Sequence, residues 1–113
     1  IITVFGAGGD RDKTKRPLMG GIAAKLSDIA IVTSDNPRTE DSQQIIDDIV
    51  AGVPKTAQTH QEVDRRNAIH KALGMARSGD VILVAGKGHE EYQVIGTEKI
   101  HFSDREVVEE YVG

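Results

Sequence analysis

Short apolar runs alternate along the chain with longer stretches whose apolar positions recur every three to four residues. Residues 2–5, 29–32 and 81–84 are runs of four mostly apolar residues rich in β-branched types, as expected of strands buried on both faces. The run at 81–84, Val-Ile-Leu-Val, is the most uniformly apolar and predicts the clearest buried strand. Residues 54–58 allow a short, poorly marked strand. Between these runs, Leu18, Ile22, Ala23 and Leu26 fall at helical spacing behind Pro17, which suits a first helical turn. Ile45, Ile46, Ile49 and Val50 give a second helix one apolar face, with Asp41 and Gln44 as a capping box and Gly52 as the stop. Asp64 caps a third helix whose core face is Ala68, Ile69, Ala72, Leu73 and Ala76. Gly79-Asp80 is a turn. Val94-Ile95 and residues 100–102, separated by Gly96-Thr97, read as a hairpin. Ser103 with Glu106 caps a last helix that buries Val107, Val108 and Tyr111. The alternation predicts an α/β fold in three layers, Rossmann-like: a mostly parallel sheet with helices on both faces, and a hairpin near the C-terminus.

At 113 residues the chain reads as a single domain, 1–113, without internal repeat or linker. It opens inside a strand and without methionine, which predicts an excised or processed piece lacking an N-terminal portion. Composition then narrows the chemistry. A net charge of −4 argues against a general nucleic-acid or anionic-membrane surface. The absence of cysteine removes disulfides and thiolate metal sites. No apolar run approaches a membrane span.

Three polar loops follow three of the apolar runs: residues 6–13, 33–40 and 86–91. In a parallel sheet the carboxyl ends of the strands lie on one edge, where α/β folds bind ligands. The loop 33–40 places an acid, an amide, a proline and an arginine in succession, Asp35-Asn36-Pro37-Arg38. Pro37 pushes Asn36 towards an extended backbone. Arg38 carries a planar five-donor fork suited to a carboxylate or phosphate. Asp35 can accept from an ammonium. Such a loop suits a group bearing both signs, such as an amino acid. The bland alternative is a closed turn and a surface ion pair. The glycine-rich loop is not a Walker A loop, because no Gly-Lys-Ser/Thr follows at the required spacing. It also misses the dinucleotide fingerprint, with Arg11 at the third glycine position. Its backbone N–H groups can still meet an anion, with Arg11, Lys13 and Lys15 nearby. In the third loop, Gly86 and Gly88 permit close approach of a ligand to the backbone, and the Gly86 carbonyl and Glu90 can accept from an ammonium. His89-Glu90 is not a zinc motif, since position 93 is Gln. His60, His70 and His101 are scattered, so no metal site is expected, and no Ser/His/Asp nucleophile is readable. Two rival readings remain. A receiver-like signalling domain would use Asp10, Asp12 and Lys87 but gives residues 35–38 no role. A free-standing nucleotide-binding regulatory module rests on the glycines and suffers from the failed fingerprint.

Taken together, Phe5 to Asp12, Lys15 to Gly20, Thr33 to Glu40 and Val84 to Glu90 resemble the C-terminal domain of the Mur ligases, in the branch that adds diaminopimelate. The resemblance covers essentially the whole chain. It departs at Ala7, where many relatives carry cysteine, and no chemistry depends on that position. It implies that Arg11, Asp35, Asn36, Pro37, Arg38, Gly86 and Glu90 bind meso-diaminopimelate. It implies no catalytic residue here, and that Asp10 and Lys13 approach ATP in a closed state. ATP and Mg2+ would be bound mainly by a central ATPase domain, and the UDP-N-acetylmuramoyl dipeptide by further domains, none of which this chain contains. The implied setting is bacterial, cytoplasmic peptidoglycan precursor synthesis, without nucleic-acid or membrane partners. The fragment alone would be inactive, and hinged closure would be part of the mechanism.

Overall fold

The computed structural model describes residues 1–9, 13–85, 92–95 and 98–112, and for 92–95 and 98–101 the backbone alone. Strands β1 (Ile2–Phe5), β2 (Ile29–Val32), β3 (Thr59–Gln61) and β4 (Ile82–Val84) form a four-stranded sheet in the order β3-β2-β1-β4. Every pairing is parallel, with Ile2 opposite both Ile29 and Ile82, and Ala30 opposite Thr59. Helices α1 (Arg16–Leu26), α2 (Ser42–Val50) and α3 (Arg65–Met75) connect them, and α1 is led in by a 3-10 turn at Lys13–Lys15. Strands β5 (Tyr92–Ile95) and β6 (Glu98–His101) form a separate antiparallel pair, and α4 (Asp104–Val112) closes the described chain. The α/β layering and the hairpin are as the pattern predicts.

Strand side chains alternate between the faces of the sheet. Ile2, Val4 and Ile31 therefore pack under α3 and α4, with Ala68, Ile69, Ala72, Phe102 and Val107. Phe5, Ala30 and Val32 pack on the other face with Ile45, Ile46 and Ile49 of α2, and Met19 and Ala23 of α1 lie against them. Each fully buried isoleucine contributes roughly 1.5–3 kcal/mol relative to exposure. Asp64 caps α3, accepting from the Asn67 N–H at 3.1 Å. His70 lies on α3 beside Tyr111, ring centroids 5.5 Å apart.

Several expectations need correction. The third strand lies at Thr59–Gln61, after the 54–58 stretch, which closes a turn through an Ala57 N–H to Pro54 carbonyl bond of 3.0 Å. The 81–84 run is not uniformly buried: Val81, just before β4, is 61% exposed, and Leu83 is 53% exposed on the α1 face of the outer strand β4, beside the exposed Ile22 and Leu26. Leu18, Ile22 and Leu26 are exposed. The face α1 buries is carried by Arg16, Met19, Gly20 and Ala23. Tyr111 is about half exposed. Asp41 does cap α2, but its partner is the Gln43 N–H at 3.1 Å, while the Gln44 side chain donates to Asp48. Gly52 is needed for close approach rather than as a left-handed stop: a Cβ there would lie 1.9 Å from the Pro17 carbonyl oxygen of α1. Among the described residues no helix is long and apolar enough to cross a membrane.

Candidate functional site: two interlocked loops at the carboxyl edge

Because all four strands run parallel, the loops after Phe5, Val32 and Val84 leave one edge of the sheet. The first two are locked to each other. The Gly9 N–H donates to the Asn36 carbonyl at 2.7 Å. A Cβ on Gly9 would sit 1.7 Å from the Pro37 carbonyl oxygen, so only glycine permits this contact. The glycine the sequence suggested for an anion thus serves loop against loop. Arg38 adopts φ 54, the only non-glycine residue at positive φ among the described residues. A non-glycine residue there costs roughly 1–2 kcal/mol and needs surroundings that hold it. The holding contacts are visible: Arg38 Nη1 donates to the Gly9 carbonyl at 3.1 Å and to the Asn36 carbonyl at 3.3 Å. These two bonds use one of the three guanidinium nitrogens. Thr33, Ser34 and Asn36 are buried, whereas Asp35 and Arg38 are half-buried at the edge.

Two buried arginines support this edge, and sequence reasoning missed both. Arg16 opens α1 with its side chain 1% exposed. Its Nη1 donates to Glu40 and to Asp48, each at 2.9 Å; Nη2 donates to the other Glu40 oxygen at 2.9 Å and to the Gly8 carbonyl at 3.1 Å. It therefore ties the glycine loop to the end of the 33–40 loop and to α2. The Glu40 hydrogen bond holds the guanidinium pKa above its ordinary value against the pull of burial, and Asp48 adds to the rise. Asp48 is held below the usual carboxylate value, first by the Gln44 amide and then by Arg16.

Arg65 opens α3 with its side chain 0% exposed. Its Nε and Nη2 form a fork on the two oxygens of Asp104, both at 2.7 Å. Nη1 donates to the Ser34 carbonyl at 3.0 Å and Nη2 to the Ala85 carbonyl at 3.2 Å. The signal for both arginines was periodicity. Arg65 stands three and four residues before Ala68 and Ile69, and Arg16 three and four before Met19 and Gly20, so each sits on its helix's buried stripe.

The structure thus brings Asp35, Asn36, Pro37 and Arg38 together with the glycine loop. Lys13, exposed on the 3-10 turn, lies 3.8 Å from Glu40. Asp10, Arg11, Gly86 and Glu90 lie outside the described residues, as do Asp12 and Lys87 of the receiver-like reading. Among the described residues no cluster of three or more His, Asp or Glu is arranged to hold a metal ion.

Comparison with known proteins bears on the same loops. The family model "Mur ligase, glutamate ligase domain" matches residues 1–88. A protein of Synechococcus sp. (strain WH7803), named UDP-N-acetylmuramoyl-L-alanyl-D-glutamate--2,6-diaminopimelate ligase, is 61% identical over 110 residues, which are 97% of this chain and 22% of that protein. A protein of the same name from Trichormus variabilis (strain ATCC 29413 / PCC 7937) is 63% identical over 106 residues, 94% of this chain and 21% of that one. A solved structure of a ligase with this name superposes with a TM-score of 0.94 at 44% identity, covering 98% of this chain and 23% of that chain. The chain spans about a fifth of the length of the curated relatives it matches. Neither a signalling receiver nor a free-standing nucleotide module fits these matches. The interlocked edge loops, the parallel sheet and the family match over residues 1–88 lead to one assignment: the chain belongs to the Mur ligase, glutamate ligase domain family.

Proposed function

We propose that this chain is the amino-acid-binding part of an ATP-dependent ligase that joins meso-2,6-diaminopimelate to UDP-N-acetylmuramoyl-L-alanyl-D-glutamate. One observation carries the reading: the 35–38 loop is anchored to the glycine loop at the carboxyl edge of the sheet, with Arg38 held at a costly φ of 54. Strain of this kind is retained where surrounding contacts and function demand it. In the intact enzyme, ATP with Mg2+ phosphorylates the γ-carboxylate of the nucleotide dipeptide, releasing ADP. An amine of diaminopimelate then attacks the acyl phosphate, expels phosphate and forms the amide. ATP and Mg2+ are held mainly outside this chain, and Asp10 and Lys13 are its candidates for approaching ATP. The contribution of this part is positioning, which can supply several kcal/mol of the barrier reduction.

Diaminopimelate differs from lysine by a carboxylate at the far end. Arg38, with Arg11, offers a fork for that group. Asp35, Glu90 and the Gly86 carbonyl can accept from the ammonium beside it, while Asn36 and Pro37 shape the loop. The test is kcat/KM for both amino acids in the full-length enzyme. Arg38→Ala should lower the value for diaminopimelate by roughly two to four orders of magnitude and narrow its lead over lysine. Arg38→Lys should recover little, because a point charge cannot reproduce the fork. An unchanged ratio between the two amino acids in Arg38→Ala would remove Arg38 from this role.

A further inference from the structure

Strands β2 and β4 do not touch; β1 lies between them. Two strand spacings put them roughly 9–10 Å apart. Their ladders to β1 end with the Thr33 N–H on the Phe5 carbonyl at 2.9 Å and the Ala85 N–H on the Val4 carbonyl at 2.8 Å. The strand registers to β1 end at Val32 and Val84. Just past those bonds, the carbonyls of Ser34 and Ala85 both accept from one side chain, Arg65. Ser34 immediately precedes Asp35, and Ala85 immediately precedes Gly86. Asp104, the first residue of α4, fixes the plane of the guanidinium through two 2.7 Å bonds.

We propose that Arg65, oriented by Asp104, is a positioning residue that fixes Ser34, at the start of the 33–40 loop, relative to Ala85 at the end of β4, and so the fit of the amino-acid substrate at this edge. This rests on the functional reading above. A buried fork with four acceptors at fixed angles is a task that lysine, with a single mobile ammonium, cannot perform. A displacement of about 1 Å between groups that hold a substrate can cost as much as 10²-fold. The effect should fall on the amino acid and not on the other substrates, whose sites lie mainly outside this chain.

The experiment measures phosphate release by the full-length enzyme while diaminopimelate, ATP and the nucleotide dipeptide are varied in turn. Arg65→Lys and the double variant Arg65→Met/Asp104→Leu are compared with wild type. The double variant replaces the buried pair with apolar residues of similar volume, an exchange that folded proteins often tolerate. Asp104→Asn, isosteric and milder, carries the same test where either of the others does not fold. Ile69→Val, in the same core beneath α3, serves as a control for loss of stability alone. The expected result is a KM for diaminopimelate raised about tenfold or more, with the KM values for ATP and nucleotide dipeptide within about twofold, and no change in Ile69→Val. A diaminopimelate KM within twofold of wild type in a folded variant overturns the proposal. So does a parallel rise for all three substrates, which is the mark of a purely structural role. Absence of diaminopimelate-dependent turnover in wild type would instead refute the functional reading itself.

Discussion

Arg16 and Arg65 occupy equivalent places on opposite faces of the sheet. Each is the first residue of a helix, each is almost wholly buried, and each grips a loop carbonyl at the carboxyl edge. Their surroundings differ. Arg16 shares its charge between Glu40 and Asp48, whose side chains are 15% and 26% exposed, so its partners touch water. Arg65 faces Asp104 at 8% exposure, and its remaining bonds go to backbone carbonyls. The first node fastens together loops that already lie in contact. The second spans two strands separated by a third. One residue type therefore does two jobs, and the exposure of the partner carboxylates predicts how much each job contributes to stability.

The largest effect should come from truncation. Arg65→Ala leaves the Asp104 carboxylate inside the protein without its cation, which should cost about 3–5 kcal/mol. Arg16→Ala leaves carboxylates that can rehydrate, and the cost should be nearer 1–3 kcal/mol. Denaturant unfolding of both variants checks the order. Equal losses would mean that partner exposure does not distinguish the nodes.

The two arginines also show how far the sequence could be read. Strands at 2–5 and 29–32, the helix caps Asp41 and Asp64 and the stripe 68, 69, 72 were legible because local propensity and burial agree there. The α1 stripe was misread by about one position. Leu18, Ile22 and Leu26 look like a core face, yet the buried set is 16, 19, 20 and 23, led by an arginine. Hydropathy counts a guanidinium as polar and cannot see that four acceptors await it. The exposure of β4 was hidden for a related reason: an apolar run specifies a strand but not what covers it. The 35–38 loop was recognisable as a candidate site from its residue types. Its locking by Gly9 was not, because a glycine required by a neighbour distant in the chain looks like any other turn glycine.

Gly9→Ala tests that locking and should have the next largest effect. A methyl group would meet the Pro37 carbonyl oxygen at 1.7 Å, so the two loops must part and the 2.7 Å bond from Gly9 to Asn36 must break. Overpacking and one lost hydrogen bond together suggest a cost of about 1–3 kcal/mol. Because the displaced segment carries Arg38, the proposed activity with diaminopimelate should fall more steeply than stability. Thermal melts beside kcat/KM for the full-length enzyme measure the two losses. A variant that loses stability but keeps the proposed preference for diaminopimelate over lysine would detach the loop contact from recognition.

The smallest effect should be a dependence on acid at the Arg16 node, where a titrating partner meets solvent. Asp48 has its pKa lowered in the folded protein by the Gln44 amide and by Arg16. A carboxyl group depressed on folding adds stability that is fully present above its unfolded value, about 4, and is lost as pH falls through the lower folded value. Asp48→Asn removes this titration while keeping the side-chain shape. At neutral pH the variant should melt below wild type, by an amount within the ~0–1 kcal/mol range of partly exposed pairs. The deficit should shrink as pH falls below about 4, because the wild-type carboxylate is then being protonated as well. Arg16→Ala should remove the part of this pH dependence that comes through Arg16 and leave the part due to Gln44. Melting temperatures of wild type and both variants from neutral pH into the acid range provide the measurement. A deficit for Asp48→Asn that stays constant across the whole range would show that Asp48 acts through shape alone, and the contrast between a node open to solvent and one sealed from it would lose its electrostatic basis.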